Sequence, residues 1–404
     1  MVNQATLEKP ELSSSAPLPK RRPNWLVLGF EFLAIVVVGL LLLEPLMTLA
    51  GVNNDEFQDF NPSSGWSPLP NRTYVTRSEG YGGSTINSLG MADKERTLEK
   101  PPNTYRMAVL GCSQTQGDLA PMPERFTRLV EDQLNAEGGP VKYEVLNFGV
   151  SAFSIGQEYV RLRDFTLKFK PDLVLFNARP NSLLYMGPYR AKGVRNSRPI
   201  FGIMPDGTLV EDRHFQHHWM KSGEFRFMQD TRWLRFNSRL WKLTSKASYA
   251  LNEAKDKTIN SVLALFHIKA PTQDQPEVPS LMGQKLNPAQ VEAMKYLGRV
   301  AEVIILKSRE LCQKQNCKFM LVYLPAIKST RDDREAAIYH EFAARNHLNF
   351  VDFNPQFDEI GKDPKKKLFR ICHFDAEGHR ALAALITQEL KKQNLLYRAG
   401  ATKQ

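Results

Sequence analysis

The sequence predicts an α/β domain, a doubly wound parallel sheet sandwiched by helices, behind one N-terminal transmembrane helix and carrying an inserted, partly helical segment. Three observations carry this. Short apolar runs alternate with helical stretches of roughly 10–15 residues in both halves of the chain, as parallel βαβ units require. Residues 26–43 are apolar except for Glu31, and about 20 such residues at ~1.5 Å each cross a ~30 Å hydrocarbon layer. Between about 185 and 290 the alternation fails.

In chain order, residues 1–23 are rich in Ser, Pro, Lys and Glu and read as a disordered cytoplasmic tail. Residues 24–52 read as the anchor. Lys20, Arg21 and Arg22 precede it, and Asn53, Asn54, Asp55 and Glu56 follow, so the charge bias puts the N-terminus in the cytoplasm and the main domain outside. A cleaved signal peptide, with Thr48-Leu49-Ala50 as a small-residue cleavage site, is the main alternative, although a typical apolar signal core is only ~7–15 residues. Residues 53–84, rich in Asn, Ser, Gly and Pro, read as an irregular stalk.

The domain then runs over 85–397. Residues 106–110 read as a strand stopping at Gly111, 126–135 as a helix, 143–148 as a strand, 155–168 as a helix and 173–176 as a third strand. After the insertion, 300–311 reads as a helix, 318–324 as a strand, 334–345 as a helix, 349–353 as a strand and 377–391 as the last helix. The insertion holds Trp219, Trp233 and Trp241, a helical stretch near 234–252 and a Pro/Gln-rich connector at 271–279. Ligands of such flavodoxin-like sheets bind beyond the carboxyl ends of the strands.

Composition narrows the classes. The 404 residues are 42% hydrophobic and 10% aromatic, with 24 Gly and 25 Pro, which excludes collagen-like, low-complexity and multi-span membrane proteins. The balance of 54 basic and 43 acidic residues, +11, suits an anionic polymer or an acidic membrane surface. No nucleic-acid module, phosphate-binding Gly loop or dinucleotide fingerprint is present. His214, His217 and His218 lack a Cys or carboxylate partner at ligand spacing and read as a solvated loop. The expectation is no cofactor, no metal and no nucleic acid.

Chemistry concentrates at the strand ends. The first strand runs into Gly111-Cys112-Ser113-Gln114-Thr115-Gln116-Gly117, a turn able to present a Ser hydroxyl with backbone N–H groups aimed at a developing oxyanion. The second ends at Asn147-Phe148-Gly149-Val150-Ser151-Ala152-Phe153-Ser154, a small-residue turn, and the third at Asn177-Ala178-Arg179-Pro180-Asn181-Ser182. Near the C-terminus stands His373-Phe374-Asp375-Ala376-Glu377-Gly378-His379, with Asp375 as a candidate helix cap. Ser, small-residue turn, Asn and His make a nucleophile, two oxyanion donors and a base.

In these four blocks, led in by Asn87-Ser88-Leu89-Gly90, the chain resembles the SGNH hydrolase superfamily, the GDSL-type esterases and lipases, in its membrane-anchored bacterial form. The resemblance covers roughly residues 85–190 and 295–392. It implies Ser113 as nucleophile, His373 as base, and an oxyanion site from Asn181 and the backbone N–H at Ala152, where the family usually has Gly. His379 would then be non-catalytic; the competing assignment makes His379 the base, with Asp375 one turn before it. The departures are Cys112 for the Asp of the first block, Ser182 after Asn181, and above all Arg370 and Ile371 where the catalytic acid belongs. A Ser–His dyad, a carboxylate from elsewhere such as Asp375 or Asp352, or a degenerate site all fit that gap.

Four cysteines in an exported domain allow disulfides: Cys312 and Cys317 locally, or Cys112 with Cys372, each of which adjoins a candidate site residue. Lys365, Lys366 and Lys367 form a basic rim. The resulting expectation is a serine esterase or O-acyltransferase acting on an acyl ester of an envelope glycan or lipid, the alternative being a catalytically degenerate glycan-binding or scaffold protein.

Overall fold

The computed structural model describes residues 24–50, 56–76, 79–180, 182–187, 193–243, 288–328, 331 and 333–397. The tail at 1–23, Asn181 and the connector at 271–279 lie outside the described residues.

Helix α1 (Trp25–Leu49) is 25 residues long, is capped by the Asn24 side chain accepting from Leu26 N, and buries only Met47. It is long and apolar enough to cross a membrane. Near its end Glu44 accepts hydrogen bonds from Ser238 Oγ (2.9 Å) and from the N–H groups of Arg239 and Leu240.

The described residues of the expected irregular stalk, 56–76 and 79–84, differ from that expectation. They form two antiparallel hairpins, β1 (Gln58–Asn61) with β2 (Gly65–Pro68) and β3 (Thr73–Thr76) with β4 (Gly82–Thr85). Each strand is four residues long, and the hairpins are fixed by tertiary burial of Trp66 and Tyr74 rather than by any local pattern.

The main sheet is parallel, five-stranded and ordered β6-β5-β7-β10-β11, from β5 (Thr104–Leu110), β6 (Lys142–Asn147), β7 (Leu173–Ala178), β10 (Lys318–Tyr323) and β11 (Phe350–Asp352). In chain order that is 2-1-3-4-5, so the order reverses between β5 and β7 and opens a crevice at their carboxyl ends. Between these strands come α2 (Ser113–Gln116), α3 (Phe126–Ala136) and α4 (Ile155–Asp164). The insertion supplies a hairpin, β8 (Ile200–Ile203) with β9 (Leu209–Asp212), and the short helices α5 (His214–Met220), α6 (Gly223–Asp230) and α7 (Arg232–Asn237). The chain closes with α8 (Pro288–Lys314), α9 (Asp333–Arg345), α10 (Asn354–Ile360) and α11 (Ala376–Lys392).

Successive strand side chains point to opposite faces, and the core divides accordingly. Ala108, Leu110, Phe176 and Leu321 pack with Val160, Ile304 and Phe342 from α4, α8 and α9. Met107, Val109, Leu175 and Val322 pack with Val130, Leu382 and Ile386 from α3 and α11. Buried on both faces, these strands read as continuous apolar runs.

Candidate active site

The turn after β5 is held by glycine and buried amides. Gly111 has φ +157°, and a Cβ there would lie 2.0 Å from Thr115 Oγ1, so no other residue fits. The single turn of α2 then places Ser113 at its first position and ends at Gly117 in the left-handed conformation, φ 75°. Two buried side chains from neighbouring strand ends clamp it: Asn147 Nδ2 donates to Thr115 O at 2.8 Å and Asn177 Nδ2 to Thr115 Oγ1 at 3.0 Å. As at any helix start, the Ser113 N–H has no partner within the helix.

The loop after β6 lies directly on this turn. A Cβ on Gly149 would meet Gln116 N at 2.4 Å. Val150 N donates to Gly111 O (3.0 Å) and Ser151 N to Gln116 Oε1 (2.6 Å). Ala152 follows with φ 67°, a conformation costing a residue with Cβ about 1–2 kcal/mol. Its N–H, like that of Ser113, donates to no acceptor among the described residues.

The N-terminal hairpins brace both loops. Gln58 Nε2 and Trp66 Nε1 donate to Ser151 O at 3.2 and 3.1 Å. The Tyr74 hydroxyl donates to half-buried Asp118, and Gln116 Nε2 donates to both at 2.8 Å.

His373 closes a tight turn in which Arg370 N donates to His373 O at 2.9 Å. Its Nε2 lies 2.7 Å from Ser113 Oγ, across 260 residues of sequence. Its Nδ1 lies 2.6 Å from Glu79 Oε1. The other Glu79 oxygen, Oε2, accepts the backbone N–H groups of Ile371 (3.1 Å), Cys372 (2.9 Å) and His373 (3.1 Å). Cys372 Sγ donates to Oε1 at 2.7 Å. Burial works to raise the Glu79 pKa, but the Cys372 thiol and N–H, with His373, bring it down to about 2. The same burial, reinforced by the Glu79 carboxylate, pushes the Cys372 thiol up to about 12.

Glu79 had no signal in the sequence, because it lies 294 residues from His373 within a segment of loop composition. Arg370, standing where the acid was missed, ties that segment down: its guanidinium donates to Tyr81 O (3.0 Å) and to Leu119 O (3.3 Å). The candidates considered for the acid are engaged elsewhere. Asp375 caps α11 by accepting from Gly378 N at 3.0 Å. Asp352 accepts from the N–H and amide of Asn354 (2.8 and 2.7 Å) and pairs with His340. His373 thus takes Glu79, and not Asp375, on its second nitrogen.

His379 is buried, 1% exposed, and its Nδ1 accepts from Phe126 N at 3.3 Å. Burial, with the charges of Arg125 and His373, lowers its pKa to about 3. Ser182 belongs to a buried network, its hydroxyl on Glu335 Oε1 (3.0 Å) and Tyr339 (2.7 Å). All four cysteines are free thiols, so neither proposed disulfide is present. Lys367 and Arg370 line an open cleft beside Glu79 with Gly80, Ile371, Asp375 and Ala376.

No protein-family model matches the chain, and no curated protein matches it in sequence. Among solved structures it is similar to a GDSL-like lipase from Bacteroides thetaiotaomicron (13% identity over 72% of this chain and 89% of that one, TM-score 0.34). It is also similar to an acetylxylan esterase from Geobacillus stearothermophilus (13%, 71% and 94%, 0.37) and to a two-domain esterase active on acetylated mannans (13%, 74% and 53%, 0.37).

Proposed function

We propose that this chain is a membrane-anchored serine esterase of SGNH type, working on an acyl ester of an envelope glycan or lipid through Ser113, His373 and Glu79. What carries the reading is the continuous hydrogen-bonded chain from Ser113 Oγ through both nitrogens of His373 to Glu79 Oε1, at 2.7 and 2.6 Å. A carboxylate on Nδ1 holds the imidazole in the tautomer whose Nε2 accepts, and stabilises the cation formed when it does.

The chemistry follows from that order. Ser113 Oγ attacks the ester carbonyl while His373 Nε2 takes its proton. The N–H groups of Ser113 and Ala152 receive the developing oxyanion, with the Asn181 amide as the third donor that the family resemblance implies. His373 returns the proton to the leaving alcohol, and water or a sugar hydroxyl then releases the acyl group, giving hydrolysis or O-acyl transfer. The length and apolarity of helix α1 support anchoring at the membrane, and the basic cluster at Lys20, Arg21 and Arg22 supports an outer placement of the domain.

The test is labelling of the full chain in detergent with an organophosphonate serine probe, read as intact mass. One adduct, absent in Ser113→Ala, is expected. A folded protein that takes no adduct would exclude an activated serine and leave the glycan-binding or scaffold role.

A further inference from the structure

We infer that Glu79, Cys372 and His373 form an inhibitory site for a thiophilic divalent cation of zinc character, which switches off the proposed serine chemistry by occupying His373 Nδ1. The inhibitory consequence rests on the esterase reading; the binding site itself does not.

The three ligand atoms converge on one point. Glu79 Oε1 lies 2.6 Å from His373 Nδ1 and 2.7 Å from Cys372 Sγ, and those two are 3.3 Å apart. Carboxylate, imidazole and thiolate are each zinc ligands, at about 2.0–2.3 Å from the metal. Tetrahedral bonding at those lengths asks for roughly 3.3–3.6 Å between ligand atoms, so the triangle needs to open by less than ~1 Å.

The carboxylate is already aimed. The three backbone N–H groups on Oε2 fix the Glu79 plane, leaving Oε1 free to face both the ring and the thiol. Glu79 is 8% exposed and His373 27%, so the site is sheltered yet borders the cleft at Gly80 and Ile371, through which a metal and its fourth ligand, water, enter. The thiol is what separates this arrangement from an ordinary Ser–His–carboxylate chain. A hard cation such as magnesium gains nothing from sulfur and prefers six oxygens.

The proton balance explains the inhibition. Binding releases the Cys372 thiol proton to water. The single proton of the neutral imidazole moves from Nδ1, now on the metal, to Nε2, where it points at Ser113 Oγ. Nε2 then has no lone pair for the serine proton, and the Glu79 charge is neutralised.

The experiment titrates the full chain with zinc, and separately with magnesium, while measuring probe labelling of Ser113; each variant is compared with its own metal-free rate. Zinc is expected to slow labelling, a chelator to restore it and magnesium to do nothing, with the Cys372→Ser variant needing about 100-fold more zinc. In parallel, cobalt(II) is added and the near-ultraviolet thiolate-to-cobalt band recorded, a readout independent of activity. The band should appear in the native chain and vanish in Cys372→Ser. Labelling that ignores zinc, or is slowed equally in Cys372→Ser, overturns the inference, as does the lack of a Cys372-dependent band. A Cys372-dependent band in a protein that never labels would sink the esterase reading while leaving the metal site standing.

Discussion

His373 and His379 lie on either side of the first turn of α11 and share one ring chemistry, yet the fold gives them opposite surroundings. His373 is 27% exposed and bridges Ser113 to a carboxylate. His379 is sealed between Phe126, stacked at 5.9 Å, and Phe374, edge-on at 5.5 Å, with Nδ1 accepting a backbone N–H and no carboxylate from the described residues on it. A histidine becomes a base when something steadies its cation and water can reach it; buried without an anion, it stays neutral and serves as packing with one acceptor. The contrast comes from tertiary placement, since only five residues separate the two in sequence.

The sharpest way to break the comparison is to exchange the two losses. His373→Gln should lower the rate of Ser113 labelling by about 10⁴-fold or more, because removing one member of such a unit costs nearly as much as removing all of it. His379→Asn, which keeps an acceptor for Phe126 N, should leave labelling within about tenfold of native. Comparable losses in both would mean that the distinction drawn from burial and partners is wrong. Next in size is Glu79→Gln, which keeps shape but loses the charge and permits the wrong tautomer; a fall of about 10²–10⁴-fold in labelling rate is expected. Since Glu79 stays ionised down to about pH 2, its own titration should not shape the labelling profile above pH 4. A Glu79→Gln rate equal to native would reduce the site to a Ser–His dyad.

The same contrast explains what was legible in the sequence. Strands β5, β7 and β10 announced themselves because burial on both faces writes a short apolar run, the edge strands β6 and β11 by shorter, partly polar runs between helices, and α3, α9 and α11 because one face of each is apolar. Ser113 and His373 were found as residues at strand and helix ends, and the structure brings them together. Glu79 could not be found this way. Its position depends on the β3–β4 pair packing against Gln116, Asp118 and Leu119, on Arg370 gripping Tyr81 O, and on three N–H groups that converge only once the 370–373 turn is made. Each is a long-range contact that leaves no periodicity, and the four-residue strands around it have the composition of a loop.

Stability against pH isolates the buried His379 by a smaller but cleaner effect. The folded state holds His379 at about 3, against an ordinary value of 6.5. Because the folded pKa is the lower one, protonation favours the unfolded chain: the contribution is complete above pH 6.5 and is lost as the pH falls towards 3. Glu79, lowered from 4.5 to about 2, also loses its contribution towards acid, but only below pH 4.5. The interval from 6.5 to 4.5 therefore belongs to His379 alone of the two, and a full proton taken up there is worth about 1.4 kcal/mol per pH unit, or roughly 2–3 kcal/mol in all. The measurement is thermal unfolding of native protein and His379→Asn at pH 8, 6.5, 5.5 and 4.5. Whatever the variant loses at pH 8, where the ring is neutral in both states, should shrink as the pH falls, because only the native chain carries the buried imidazole that resists protonation. Parallel pH dependences in the two proteins would mean that His379 is protonated in the folded state at no penalty, and its assignment as a neutral packing residue would fall.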